Sequence, residues 1–392
     1  MDSALAAEIT ANYLKYFQVK RTIGIDVQTL EHWETGERGI GRYTTAHVKA
    51  LSELHPNWNF ILFSKNFPKY GESLLNLPNV SLKGVGSERE HSLDLYHIPD
   101  QMSLLPNYIP PLQLAPKTIP CTILFHDVIP LVLPQFYIDT WPPEAQRSYR
   151  YRLEMITASH AFLLTNSECT KRDVIKCASI PEYQAEAIMA GSSTLENFSP
   201  SDKIFLDLKA RLYLGDDYIL YVGGGEEHKG LITVIQSWLN AKSRSPNLQL
   251  VITGSANDPW KMAFKKHLED QKIHGCIFTG FLSDPELFEL YGRARAFVFP
   301  SLYEGFGFPV LEAMSLGTPV ISSNAASLPE VVGDAGVLLD SKDVDGFTRE
   351  ILAIDQKKRA ELSAKGKERA KEFSWKKVAE KTSKIWERLI KE

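Results

Sequence analysis

Apolar residues along the chain gather into short runs, and between the runs they return every three or four positions. Runs of this kind read as buried strands and the intervening stretches as amphipathic helices. In the first half the runs span Thr22 to Val27, Asn59 to Ser64, Val80 to Gly84, Leu95 to Pro99, Cys121 to Asp127 and Ala161 to Ser167. A second series spans Tyr218 to Gly224, Leu248 to Gly254, Cys276 to Leu282, Ala296 to Leu302, Pro319 to Asn324 and Gly336 to Asp340. Strands alternating with helices predict parallel sheets wrapped on both faces. Two such series in tandem predict two doubly wound α/β domains.

The break between the series begins at FSPSDK, from Phe198 to Lys203, read as a loop. The following KIFLDLKARLYL reads as a linking helix. This divides the chain into residues 1–200, residues 201–372 and a last segment, residues 373–392. In that segment Val378, Thr382, Ile385 and Leu389 fall at three- and four-residue steps, which predicts an amphipathic helix packing back on the first domain. At the other end Leu5, Ile9, Tyr13, Leu14 and Phe17 share a stripe. Two readings stand for it, a helix packed on the body or one lying on a membrane surface.

The chain has 392 residues, of which 44% are hydrophobic and 23% charged, with a net charge of -4. That profile suits a globular protein and argues against nucleic acid, whose backbone calls for a basic face. No apolar stretch is long enough to cross a membrane. The start, Met1 to Arg21, lacks the layout of a signal peptide. The four cysteines, Cys121, Cys169, Cys177 and Cys276, form neither a CxxC pair nor a zinc spacing, which fits a reducing compartment. The expected location is cytoplasmic, with peripheral contact at the inner face of the membrane left open.

The densest chemical signal is EGFGFPVLEAMSLGTPVI, from Glu304 to Ile321, directly after an apolar run. A strand, a glycine-rich turn and a helix together present backbone N–H groups to an anion. Gly305 and Gly307 let the backbone approach a ligand closely. Glu304 and Glu312 can accept hydrogen bonds from hydroxyls at separate points of a long polyol. A second glycine loop, GERGIGRY, places Gly39 and Gly41 at the start of the first helix, where amides can meet phosphate. Arg42 beside them is read as added charge, a surface residue or an ion pair. FHDVIP places His126 and Asp127 at a strand end. In NSECTKRD, Ser167 reads as a helix N-cap. VGGGEEHKG brings His228 and Lys229 after the first strand of the second series. Asp343-Val344-Asp345 is spelled like a metal motif but sits in a polar segment, where it reads as a helix cap.

Together these motifs resemble the retaining glycosyltransferases of family 4. The fit runs through Glu304, Gly305, Phe306, Gly307, Pro309, Glu312, Ala313, Gly317, Pro319 and Val320, and onward through SNAASLPEVVGDAGVLLD. The resemblance implies the GT-B architecture, two Rossmann-like domains whose parallel sheets face each other across a cleft. The first would be the acceptor side and the second the nucleotide-sugar side. It implies that Glu304 holds donor-sugar hydroxyls, that backbone from Gly305 to Phe308 meets sugar and phosphates, and that Glu312 holds the ribose. It gives His126 a contact with the sugar near the reacting carbon, Lys229 the diphosphate, and backbone at Phe281 and Leu282 the base. Where the family has an Arg-Lys pair this chain has His228-Lys229, and His228 brings fewer donors and can be neutral at pH 7.

The implied activity is hexosyl transfer without a metal or other cofactor. Retention would come through same-face attack, with the leaving phosphate assisting deprotonation. RGIGRY, FHDVIP and EGFGFPVLEAM in combination are similar to bacterial mannosyltransferases that build surface polysaccharides from GDP-mannose. The expected partners are a nucleotide-diphosphate sugar and a glycan or lipid-linked saccharide. The alternatives are a transferase using UDP-glucose or another UDP-sugar, and a nucleotide-sugar epimerase of the same architecture. A glycoside hydrolase and a non-catalytic sugar-nucleotide sensor also remain as readings.

Overall fold

Thirteen strands pair into two all-parallel sheets in the computed structural model, which describes residues 20–36, 39–105, 107–192, 198–254 and 259–391. The first sheet holds β1 (Thr22–Asp26), β2 (Asn59–Ser64), β3 (Val80–Gly84), β4 (Leu95–Ile98), β5 (Cys121–Phe125), β6 (Phe162–Thr165) and β7 (Ala185–Ala187). Its order is β3-β2-β1-β4-β5-β6-β7. The second holds β8 (Tyr218–Val222), β9 (Gln249–Thr253), β10 (Cys276–Gly280), β11 (Ala296–Phe299), β12 (Val320–Ser323) and β13 (Val337–Leu339), in the order β10-β9-β8-β11-β12-β13. All twelve apolar runs of the sequence carry a strand. β7 had no such signal: its AEA is too short and has no β-branched residue.

The central strands are covered on both faces, so they are apolar without alternation. Every residue of β4, β6, β11 and β12 is buried. In both sheets the strand order reverses beside the first strand, between β1 and β4 and between β8 and β11. Ligands of doubly wound sheets lie beyond the carboxyl ends of the strands at such reversals.

Local signals set the helix ends. Ser167 caps Glu168–Ala178 by accepting from the Thr170 amide at 3.0 Å. Asp343 caps Val344–Ala353 through the Gly346 amide at 2.8 Å, so the Asp-Val-Asp spelling is a cap. The helix Asp202–Leu212 links the two halves, capped by Ser201 and ended by Tyr213 in the left-handed region. The last helix, Trp375–Lys391, packs along Gly39–Leu54 of the first half. Its Ala379 and Trp386 sit in the core beside β1 and β2, and the Trp386 indole donates to Thr122 Oγ1 at 3.1 Å. The stripe from Leu5 to Phe17 lies outside the described residues.

Candidate active site between the sheets

The site is built from strand ends at the two reversals. The loop after β8 carries His228 and Lys229, and the loop after β11 carries Glu304. Adjacent strands bring them together: Lys229 Nζ donates to Glu304 Oε1 at 2.8 Å and to Oε2 at 2.9 Å. The His228 carbonyl joins the same two loops, accepting from the Leu302 amide at 2.6 Å and Ser301 Oγ at 3.0 Å. Behind the first loop, Lys261 is buried and donates to the carbonyls of Gly223 and Thr253 at 2.7 and 3.1 Å.

The turn after Glu304 is held by its carbonyls. Buried Ser327 donates to the carbonyls of Glu304 and Phe306, each at 2.8 Å. The Gly305 carbonyl accepts from Ser167 Oγ at 2.6 Å and Thr170 Oγ1 at 3.1 Å, both in the first half. Gly307 has φ +110°, a conformation that favours glycine, and the helix Phe308–Ser315 starts directly after it with Pro309 in its first turn. Gly305 also stands against the first half of the chain. A Cβ there would stand 2.0 Å from the His126 carbonyl, so its missing side chain admits the opposite lobe. Gly41 is similar, since a Cβ would stand 2.2 Å from the Gly36 carbonyl. At Gly39 that space is open.

From the first half, His126 and Asp127 follow β5. His126 Nε2 lies 3.0 Å from the Pro99 carbonyl. A carbonyl can only accept, so Nε2 carries the proton. Burial pushes the His126 pKa down to about 4, which leaves the ring neutral at pH 7 and Nδ1 an acceptor. Burial raises the Asp127 pKa, with Lys229 opposing and Glu304 adding to the rise. Beside them opens a cavity of about 510 Å³, lined by Asp100, Asp127 and Tyr149 together with Met102, Leu104 and Leu105. Asp100 Oδ1 accepts from the amides of Met102 and Ser103, while Oδ2 is buried with no partner among the described residues. Burial pushes its pKa up to about 6.

Glu312 lies in the helix Phe308–Ser315, where Tyr291 donates to its Oε2 at 3.2 Å. Burial pushes the Glu312 pKa up to about 7, and the charge of Arg42 opposes the rise. Arg42 also pairs with Asp284 at 2.7 Å, joining the helix Gly39–Leu54 to Asp284–Arg293. Phe281 and Leu282 stand apart from this group, on the turn after edge strand β10, with Phe281 69% exposed.

Several contacts between the halves carried no signal in the sequence. The Tyr137 hydroxyl contacts His228 Nδ1 across the lobes. Glu330 accepts from the Glu168 and Cys169 amides at 2.8 and 2.7 Å. Tyr303 donates to Asp173 at 2.5 Å. Each depends on how the halves meet, which no local pattern reports. Ser167 was legible as a cap, though its second bond to Gly305 was not.

Residues 203–373 match the family model described as glycosyl transferases group 1. The chain is 29% identical over 382 residues to O-antigen chain mannosyltransferase B of Escherichia coli, covering 90% of this chain and 96% of that protein. It is 32% identical over 268 residues to serotype-specific mannosyltransferase WbdA of Escherichia coli, covering 64% of this chain and 31% of that longer protein. Among solved structures, Anabaena Alr3699/HepE in complex with UDP and glucose superposes with a TM-score of 0.70 at 16% identity, over 94% of this chain and 100% of that one. WaaG, a glycosyltransferase involved in lipopolysaccharide biosynthesis, gives 0.66 at 15% identity, over 93% and 99%. With its paired doubly wound sheets and the loops that meet between them, the chain has the GT-B fold of these structures, and its residues 203–373 match the glycosyl transferases group 1 model.

Proposed function

We propose that the chain transfers mannose from GDP-mannose to a glycan or lipid-linked acceptor, with retention at the anomeric carbon and without a metal. The observation that carries this reading is the Lys229–Glu304 pair at the reversal of the second sheet, faced by His126 from the first. Donor cleavage builds negative charge on the leaving diphosphate and positive charge on the sugar. Preorganised donors lower the barrier where the negative charge grows. Lys229 supplies the cation, and the helix starts at Gly39 and Phe308 supply amides. Glu304 takes sugar hydroxyls, and Glu312 takes the ribose. His126 Nδ1 accepts from a sugar hydroxyl near the reacting carbon.

The cavity beside Asp100 and Asp127 receives the acceptor, whose hydroxyl attacks from the face the diphosphate leaves. The departing phosphate takes the hydroxyl proton. Lobe contacts around the site exclude water and favour transfer over hydrolysis. The mannosyltransferase names of the relatives support the sugar. The four free thiols and the nucleotide-sugar donor suit a cytoplasmic enzyme.

A second reading, a UDP-sugar donor, is favoured by the UDP and glucose bound in the Anabaena protein. A donor screen in EDTA with a panel of saccharide acceptors separates the two. The proposal expects glycan elongation and GDP release from GDP-mannose, with an α-linked product. Turnover of UDP-glucose alone would transfer the case to the second reading.

A further inference from the structure

Tyr137 and His228 come from opposite lobes, and their side chains meet hydroxyl to Nδ1. The rings also pack edge to face, with centroids 5.5 Å apart. His228 is 4% exposed, and its Nε2 is buried with no hydrogen-bond partner among the described residues. Its carbonyl is tied to Leu302 and Ser301, so the imidazole is anchored to the loop that leads into Glu304. Lys229 is the next residue.

Protonation states follow from these surroundings. Burial holds the His228 pKa down at about 4, with the Lys229 charge assisting, so the ring is neutral at pH 7. Burial raises the Tyr137 pKa, and Glu226, Asp127, Glu304 and Glu227 add to the rise, so the phenol keeps its proton. A neutral imidazole has one donor nitrogen and one acceptor nitrogen. A phenol that keeps its proton is able either to donate to Nδ1 or to accept from it. With the phenol donating, the ring proton is on Nε2, a buried N–H without an acceptor among the described residues and on the residue before Lys229. Such a donor suits an anionic oxygen.

We propose that Tyr137 is a positioning residue of the donor site: it fixes His228 in the tautomer whose Nε2–H donates to the donor's diphosphate. This rests on the nucleotide-sugar reading above. It gives the histidine at this position a defined role as a neutral donor beside Lys229. It also makes that donor conditional on the lobes being together, because Tyr137 belongs to the first lobe and His228 to the second.

The test is a double-mutant cycle on the full chain with Tyr137→Phe and His228→Ala, read as GDP affinity and as kcat/KM for GDP-mannose. Tyr137→Phe keeps the ring packing and removes only the hydroxyl. Each single variant should lose about tenfold or more in kcat/KM. In the His228→Ala background, Tyr137→Phe should change it by less than about twofold. ¹⁵N NMR of the histidine-labelled wild type should show His228 neutral with its proton on Nε2. Independent, multiplicative effects in the double variant, or a ring protonated on Nδ1, would overturn the proposal while leaving the donor reading intact. Failure of the wild type to bind any nucleoside diphosphate would overturn both.

Discussion

Lys229 holds both carboxylate oxygens of Glu304, at 2.8 and 2.9 Å, so two residues assigned to different parts of the donor neutralise each other in the free site. An ammonium group has three donors and this carboxylate uses two. The third would meet a diphosphate oxygen on donor binding, and the remaining lone pairs of Glu304 would accept from sugar hydroxyls. Lys229→Ala is expected to slow transfer by about 10²–10³-fold, as for loss of an oxyanion donor. It should also lower stability by about 1–3 kcal/mol, because it leaves a largely buried carboxylate without its cation. Adding Glu304→Gln should restore the Tm without restoring activity. Thermal melts and steady-state rates on the two variants check both halves.

His126 acts as a neutral ring. Its pKa near 4 leaves it uncharged throughout the range above about pH 5. His126→Ala should reduce kcat by about 10²-fold with the fold intact, by analogy with a lost catalytic hydrogen bond. The wild-type rate profile should show no His126 step between pH 5 and 8. A limb near pH 6.5 that disappears in His126→Asn would contradict this assignment.

Burial pushes the Glu312 pKa up to about 7, so its charge changes near neutral pH. The charged form is the better acceptor for a ribose diol, and it becomes dominant as pH rises past that value. Nucleotide affinity should therefore rise about tenfold from pH 6 to pH 8, following the ionised fraction. Below pH 7, binding should release a proton. Folding responds in the opposite sense: a raised carboxyl pKa means that stability falls as pH climbs from the unfolded value near 4.5 to about 7. Calorimetry in buffers of different ionisation enthalpy measures the proton release, and Glu312→Gln should flatten the affinity profile.

Gly305 lies against the opposite lobe at His126. Gly305→Ala places a Cβ 2.0 Å from the His126 carbonyl. That overlap cannot be relieved by rotating a side chain, so the lobes must separate or the turn must shift. A loss of about 1–3 kcal/mol in stability and a fall in kcat are expected. Small-angle scattering should show a larger radius of gyration than in the wild type. Gly39→Ala, with open space around its Cβ, should melt like the wild type.

Much of this was legible in the sequence, for physical reasons. Central strands buried on both faces write themselves as apolar runs, the only partly buried β3, β10 and β13 were legible as short β-type runs, and β7 was not. The loops bearing Lys229 and Glu304 were visible because glycine-rich turns after strands have few other uses. Their mutual pairing was hidden, since it depends on β8 and β11 being neighbours in the sheet. Tyr137 lies in IPLVLPQFYID, a segment without helical or strand periodicity, and its role arises only when the lobes meet. Glu330 likewise reads as an ordinary helix residue until the amides of Glu168 and Cys169 are placed opposite it. At Gly305 the need for space was legible, but the His126 carbonyl that stands there was not, because sequence shows that space is needed and not what fills it.

Under the proposed function a nucleoside diphosphate binds between the lobes on Lys229, Glu304 and Glu312. Titration calorimetry of GDP into the full chain in EDTA, against the Lys229→Ala/Glu312→Gln double variant, measures it directly. The account predicts one site in the wild type and affinity weakened by about 10²-fold or more in the variant. Equal affinity in the two proteins would contradict it.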